Sequence, residues 1–522
     1  MSFGRSFRKY FALAGLVGIN WVGVAVAAAD MPAACLALSG KSLFLEDETP
    51  IAIAAARVLP ATDTLPEHCV INGFVAPQVG FEFRLPTSAW NGRYLQQGCR
   101  GLCGFIPSDT TNDALARGYA VGTTDMGHKA ASSQSAIWAR GNSAAKLDFG
   151  HRATHVTATA AAEIVRRIYG RPPAKRVFRG CGTGGRQGLV EAQRYPEDFD
   201  GVIVNGGIVF DFTKLNYLMV HSVRSNRDAN GGPILRSADL QLLHDAVMKK
   251  CDALDGLSDQ KIESPQRCPF DPKSLLCSRG NERQCLTAEQ VDAARKMYQG
   301  PRTSKGEQIY PGMAFGSELR WDAAFFGEEP RYGKFTSEIF RYFLSDGIAA
   351  GEFHLATFDL DTPLTDFRES ESLVGADSTD YRAFRSRGGK ILAIHGWNES
   401  AMPGAYATAY YDRLTRDTRS RDAAMEFFRL YMVSGDMHCT SGIPEGRHFD
   451  VLTIMERWME EGQPPSVITG YEVNVEPKLP AQVRFPIGPE NIRSERPFVP
   501  YPSELRLRRG ADPTTIESYV VE

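Results

Sequence analysis

Four short segments of this 522-residue chain carry side chains that could do chemistry. Gly180-Cys181-Gly182-Thr183-Gly184 has the glycine frame of a sharp strand-to-helix turn. From such a turn a serine hydroxyl can be projected toward an ester carbonyl while the next backbone N–H helps to stabilise the oxyanion. The centre of this frame is glycine, so the frame is present without the hydroxyl. Glu399 and His438 supply a carboxylate and an imidazole, and a carboxylate that orients an imidazole and stabilises its protonated form makes a general base. Asp252, Asp255 and Asp259 surround a glycine turn, offering oxygen ligands for calcium with backbone carbonyls completing the shell. Taken singly, each feature has an ordinary reading: a structural glycine turn, a structural histidine, a solvated acidic loop.

The elements that must position these residues read as alternating strands and helices. Val70 to Leu85 is strand material, and the Gly-rich run Gly98-Cys99-Arg100-Gly101-Leu102-Cys103-Gly104 is a tight loop. Tyr119 to Thr124 reads as a short buried strand, and His155 to Tyr169 has apolar residues at helical spacing until Gly170-Arg171-Pro172-Pro173 stops it. Arg176 to Arg179 is a strand running into the glycine frame, Gln187 to Arg194 looks helical, and Gly201 to Val204 is a buried strand. This strand, turn, helix, strand order is an α/β unit whose crossover favours parallel strands. From about residue 208 to 370 the rhythm gives way to four cysteines, amphipathic helical stretches and polar loops, as expected of an inserted lid. Strand pattern returns at Gly388 to His395 and at Phe428 to Val433.

Arg5, Arg8 and Lys9 precede an apolar run from Tyr10 to Ala28 that ends in small residues, the pattern of a secretory signal cleaved after Ala29. The expected organisation is a leader over 1–29, a first core part over 30–207, a lid over 208–370 and a second core part over 371–522. Removing three positive residues and no acidic ones takes the formal charge from −3 to −6. No basic stripe with interleaved aromatics suggests a nucleic-acid partner, and no later apolar run approaches the ~20 residues of a membrane span. The mature protein is expected to be secreted or periplasmic. All ten cysteines, Cys35, Cys69, Cys99, Cys103, Cys181, Cys251, Cys268, Cys277, Cys285 and Cys439, lie beyond the leader, and an even number in an exported chain argues for disulfides over metal binding.

The run Gly180-Cys181-Gly182-Thr183-Gly184-Gly185-Arg186-Gln187-Gly188, followed by Glu191-Ala192-Gln193-Arg194-Tyr195-Pro196-Glu197-Asp198-Phe199-Asp200-Gly201, resembles the nucleophile elbow and following helix of the tannase and feruloyl esterase family. That family includes related enzymes hydrolysing plastic-derived aromatic esters. The resemblance extends from Trp90-Asn91-Gly92-Arg93 through His438-Cys439. It implies an α/β-hydrolase fold with a large inserted lid, and it places the nucleophilic serine at Gly182. The acid falls on Glu399, where the family has aspartate, and the catalytic histidine on His438. The Thr183 N–H takes the first oxyanion role, and Gly101 in the glycine-rich loop is the choice for the second. A disulfide between Cys181 and Cys439 is implied, as are Cys251 with Cys268, Cys277 with Cys285, and Cys35 with Cys69. Cys99 and Cys103 flank the oxyanion loop, and either closure on each other or a bond to another cysteine fits. The lid calcium loop falls on Asp252, Asp255 and Asp259, with carbonyls at Leu257 and Lys261; no organic cofactor is expected.

A serine-free site redirects the expected chemistry. The leading expectation is an enzyme acting on an aromatic or polyphenolic ester, or a related carbonyl compound, by a non-acyl-enzyme route with His438 as base and Glu399 orienting it. A lyase, isomerase or cyclase using the same base is one alternative. A catalytically inactive pseudoesterase or ligand-binding protein, or an esterase inactivated by serine-to-glycine substitution, is the other. Nucleophilic roles for Thr183 and Cys181 are the weaker readings, because a one-residue shift on an elbow changes side-chain direction and Cys181 has a matched cysteine. The lid aromatics Trp321, Phe325, Phe326, Tyr332, Phe340 and Tyr342 are read as core, and Arg186 as structural.

Overall fold

The computed structural model describes residues 31–278, 284–327, 330–344, 353–399, 401–435, 447–474 and 485–522. The expected leader lies outside them. The apolar runs form one ten-stranded sheet of β1 (Ser42–Phe44), β2 (Pro50–Leu59), β3 (His68–Val75), β4 (Val79–Pro86), β5 (Arg93–Gln97), β6 (Ala120–Thr124), β7 (Lys175–Gly182), β8 (Gly201–Ile208), β9 (Lys390–Gly396) and β10 (Phe428–Val433). Their order is β1-β2-β3-β4-β6-β5-β7-β8-β9-β10. The strands from β5 to β10 are mutually parallel, whereas β1 to β4 form antiparallel pairs and β4 joins β6 antiparallel. The strand material from Val70 to Leu85 is the β3–β4 hairpin, turning at residues 76–78.

Both faces of the parallel half are covered, which is why its strands read as nearly continuous apolar runs. Alternate side chains still go to opposite faces. Phe178, Val202, Val204, Ile391, Ala393, Phe428 and Leu430 enter the larger core cluster. Their neighbours Val177, Ile203, Leu392, Ile394 and Tyr431 enter a second one, against Leu452, Met455 and Trp458 of the helix Val451–Glu460. The helix Ala153–Tyr169 buries Val156, Ala160, Ala161, Ile164 and Ile168 against the larger cluster. Its end is set by Gly170, whose φ of 72° is the left-handed cap that glycine adopts without a Cβ penalty.

Between β8 and β9 the chain builds a helical layer that includes Phe212–Ser225, Ser237–Cys251 and Ala288–Gln299. Trp321, Phe325, Phe326, Tyr332 and Phe340 are buried in it, and Tyr342 packs against them half-buried, so these aromatics are core as the sequence suggests. After β10, strands β11 (Ile468–Val473) and β12 (Ile492–Phe498) pair antiparallel and return to the lid through Arg496. No helix among the described residues is long and apolar enough to cross a membrane.

Candidate active site

β7 delivers the elbow. Gly182, its last residue, has φ 56° and ψ −120°, and the helix Thr183–Arg194 begins at the next residue. A residue with a Cβ is strained in that conformation, so a side chain there has to be supported by its surroundings. The flanking glycines serve close packing. A Cβ on Gly180 would fall 2.3 Å from the Gly184 carbonyl carbon, and one on Gly184 would fall 2.8 Å from the Cys99 oxygen. The strand, the helix and the Gly98–Gly104 loop therefore meet backbone to backbone.

That loop is fastened on every side. Gly98 N–H donates to the Arg179 carbonyl at 2.8 Å, and Leu102 N–H to the Ser133 carbonyl at 2.7 Å. Cys99 N–H donates to Gln187 Oε1 at 3.2 Å, and the Thr183 hydroxyl donates to the Gly101 carbonyl at 2.6 Å. Cys99 and Cys103 are disulfide-bonded, which resolves the pairing left open by the sequence in favour of local closure. Gly101 has φ +57°, and a Cβ on it would lie 2.3 Å from the Ser133 oxygen. As the first residue of its helix, Thr183 keeps its N–H out of the intrahelical ladder, one of the donors that helix starts leave over. Thr183 and Gln187 lie four residues apart on one helix face; the sequence marks Thr183 for its N–H and Gln187 only as part of a motif. Their loop-holding role needed the fold.

Glu399 is fully buried beyond the end of β9, and its Oε1 accepts the Ala401 N–H at 3.0 Å. The loop carrying it is pinned from two directions: Trp397 N–H donates to the Val433 carbonyl at 2.9 Å, and Asn398 Nδ2 donates to the Phe315 carbonyl of the lid at 3.1 Å. His395, at the base of the loop, accepts the Ile208 N–H at Nδ1 and faces the Met402 carbonyl through Nε2 at 2.7 Å. That pairing assigns it the neutral Nε2–H tautomer. His438 and Cys439 lie outside the described residues. Cys181 is disulfide-bonded. Arg186 is fully buried and donates to the carbonyls of Phe149, Gly150 and Val374, and burial lowers its pKa to about 9. It is structural, as expected.

These features have relatives. Residues 66–521 match the family described as tannase and feruloyl esterase. The chain belongs to that family. An uncharacterized esterase of Xanthomonas campestris is 32% identical over 501 residues, covering 86% of this chain and 85% of that protein. A mono(2-hydroxyethyl) terephthalate hydrolase of Piscinibacter sakaiensis is 30% identical over 569 residues, covering 92% of this chain and 90% of that protein. The solved structure of feruloyl esterase B from Aspergillus oryzae superposes with a TM-score of 0.81 at 22% identity, over 94% of this chain and all of that one. These likenesses make the protein a member of a carboxylic-ester hydrolase family with an α/β-hydrolase-type fold.

Family membership leaves the lid loop to be judged on its own atoms. Cys251–Cys268 and Cys277–Cys285 close the lid bridges, and Cys35–Cys69 ties the amino-terminal region. Asp255 accepts from Arg496 at 2.8 Å, Asp252 Oδ1 accepts the Lys261 N–H at 3.1 Å, and Asp259 lies 3.5 Å from Arg496. One oxygen of Asp259 is buried with no hydrogen-bond partner. Burial raises the Asp252 carboxyl, and the charges of Asp259 and Asp255 raise it further. The three aspartates do not draw together within 4.8 Å. Arg496, placed more than 200 residues away, had no signal in the loop's own sequence.

Proposed function

We propose that this protein is an exported enzyme acting on aromatic or polyphenolic esters, or related carbonyl compounds, without a covalent acyl-enzyme. The observation that carries the reading is the elbow: Gly182 holds φ 56° and ψ −120° at the strand-to-helix turn, next to Thr183, whose hydroxyl holds the Gly98–Gly104 loop, and it bears no hydroxyl. The Thr183 and Gly101 N–H groups would take the negative charge that develops on a carbonyl oxygen. His438 would take a proton from water, which attacks the carbonyl carbon directly, and the alkoxide leaving group would recover that proton. Glu399 would hold the imidazole in the required tautomer and stabilise its cation.

The lid loop supports calcium as a structural ion held by Asp252, Asp255 and Asp259 with the Leu257 and Lys261 carbonyls. The unpartnered Asp259 oxygen and the local charge balance favour it. Four carboxylates, Asp255, Asp259, Glu263 and Glu472, pair with three cations, Lys261, Arg447 and Arg496, and Asp252, which accepts the Lys261 backbone N–H, is a fifth, so the ionised cluster carries two negative charges in excess. One divalent ion balances them, and when bound it would cross-link the loop.

Gly182→Ser tests the reading. With the rest of the site competent, the variant gains ester hydrolysis on aromatic esters and forms an acyl-enzyme visible by mass spectrometry. No gain and no adduct would show that the frame is not competent.

A further inference from the structure

A cavity of about 90 Å³ lies beside the elbow but outside the reacting position. Its walls come from the end of β5 at Gln97, the end of β7 at Gly180, Asn205 of β8, Arg100 of the Gly98–Gly104 loop, and the segment that begins at His448. Gly101, Gly182, Thr183 and Glu399 do not line it. β5 is followed by β6 on one side and β7 by β8 on the other, so the chain leaves these two neighbouring strand ends in opposite directions. Open parallel sheets bind ligands at such points.

Three arginines reach this cavity, and two of them are satisfied. Arg179 holds Asp113 through two hydrogen bonds at 2.6 and 2.9 Å and also donates to Gln97 Oε1 and the Thr110 carbonyl. Arg117 pairs with Asp450 at 2.7 Å. The half-buried Arg100 makes no side-chain hydrogen bond and no ion pair. Burial lowers its pKa, the exposed Asp109 attracts it from beyond ion-pair reach, and Arg179 repels it. Three arginines against Asp113 and Asp450 leave the cavity with one positive charge in excess.

Two further polar groups are without partners. His448 is 5% exposed, and its backbone pairs with Tyr471 in both directions at 2.8 and 2.9 Å, while its ring makes no hydrogen bond. Burial lowers the imidazole pKa to about 4, so the ring is neutral with one N–H to donate. The Asn205 side chain makes no hydrogen bond, and its Oδ1 is buried. Buried polar groups are hydrogen-bonded as a rule, so an imidazole and an amide beside an unpaired guanidinium point to a ligand that the chain does not supply. Water would satisfy the imidazole and the amide but would leave the charge unbalanced. Phe449, Leu452 and Phe485 add an apolar wall. The space is smaller than the about 150 Å³ that holds benzene, so it suits a charged head with a few carbons.

We propose that Arg100, His448 and Asn205 form a binding site for a small carboxylate beside the elbow. The guanidinium takes the carboxylate through its N–H fork, the imidazole N–H and the Asn205 amide donate to the remaining lone pairs, and the short hydrocarbon part meets the apolar wall. A monoanion matches the single charge in excess. Carboxylates are also the product class of ester hydrolysis, the reaction of this family. Occupancy ties the Gly98–Gly104 loop to β8 and to the segment preceding the helix Val451–Glu460. The inference does not depend on the route proposed for turnover.

The test is thermal unfolding of the full-length protein as sodium propionate replaces sodium chloride at fixed ionic strength and neutral pH, with propionamide as the uncharged control. The wild type is expected to show a saturable rise in melting temperature with propionate and none with propionamide. Arg100→Met is expected to weaken the propionate response at least tenfold. Arg387→Met, which removes the same charge from an exposed position elsewhere, leaves it unchanged. A melting temperature unmoved by the exchange of anions, an equal response to propionamide, or an Arg100→Met protein that responds like the wild type would overturn the proposal. His448→Phe keeps a ring and removes the N–H; its expected several-fold weakening keeps the test decisive if Arg100→Met does not fold.

Discussion

At the scale of single residues, the conformation of Gly182 and the hydroxyl of Thr183 make opposite demands. Serine at residue 182 would supply the missing nucleophile but would have to occupy a backbone region costing about 1–3 kcal/mol for a residue with a Cβ. Gly182→Ser is therefore expected to gain ester hydrolysis while losing stability of that order in denaturant unfolding. Thr183→Val keeps the shape and removes the bond to the Gly101 carbonyl. Losing a neutral hydrogen bond worth about 1 kcal/mol is expected to lower turnover roughly fivefold with little change in melting temperature. A variant with unchanged turnover would show that the Gly98–Gly104 loop is held well enough by Gln187, the Cys99–Cys103 bridge and its backbone bonds.

At the scale of elements, the lid's entry and exit meet at one carboxyl. Glu371 accepts the N–H groups of Phe212 and Thr213 and the Thr213 hydroxyl at the start of the first lid helix. Burial, aided by the charge of Asp211, pushes its pKa up to about 7 against those hydrogen bonds. A carboxyl raised in the folded state binds its proton more tightly there than when unfolded. Its contribution is therefore full below the unfolded pKa, and stability is lost as pH rises from about 4.5 to 7. The stability of the wild type relative to Glu371→Gln is expected to fall across that window in thermal melts at stepped pH. A flat difference would place the titration elsewhere.

The strands and the elbow were legible in the sequence because apolar runs and glycine spacing are local signals. Phe428 to Val433 and the glycine frame coincide with β10 and the β7-to-helix turn. The antiparallel extension through β1 to β4, the Asn398–Phe315 tie and the reach of Arg496 were not. Each depends on partners separated by tens to hundreds of residues, and no periodicity records which distant partner a side chain will meet. Glu191 read as one letter of a helix motif, and only the fold sets it beside Asp198 and His155.

At the scale of the whole molecule, the lid loop is joined to the carboxy-terminal hairpin by Arg496, so a cation there would stabilise the assembly rather than the loop alone. Chelation is expected to lower the melting temperature and calcium to restore it. Asp259→Asn is expected to reduce that response, and an unchanged melting curve on chelation would remove calcium from the lid. The central claim is turnover without an acyl-enzyme, with His438 as the base. The most direct measurement is product analysis of purified wild type and His438→Ala incubated with aromatic esters and related lactones or ketones. Product formed by the wild type, with no covalent adduct, and lost in His438→Ala is the predicted result; absent turnover, or turnover unchanged by His438→Ala, would contradict it.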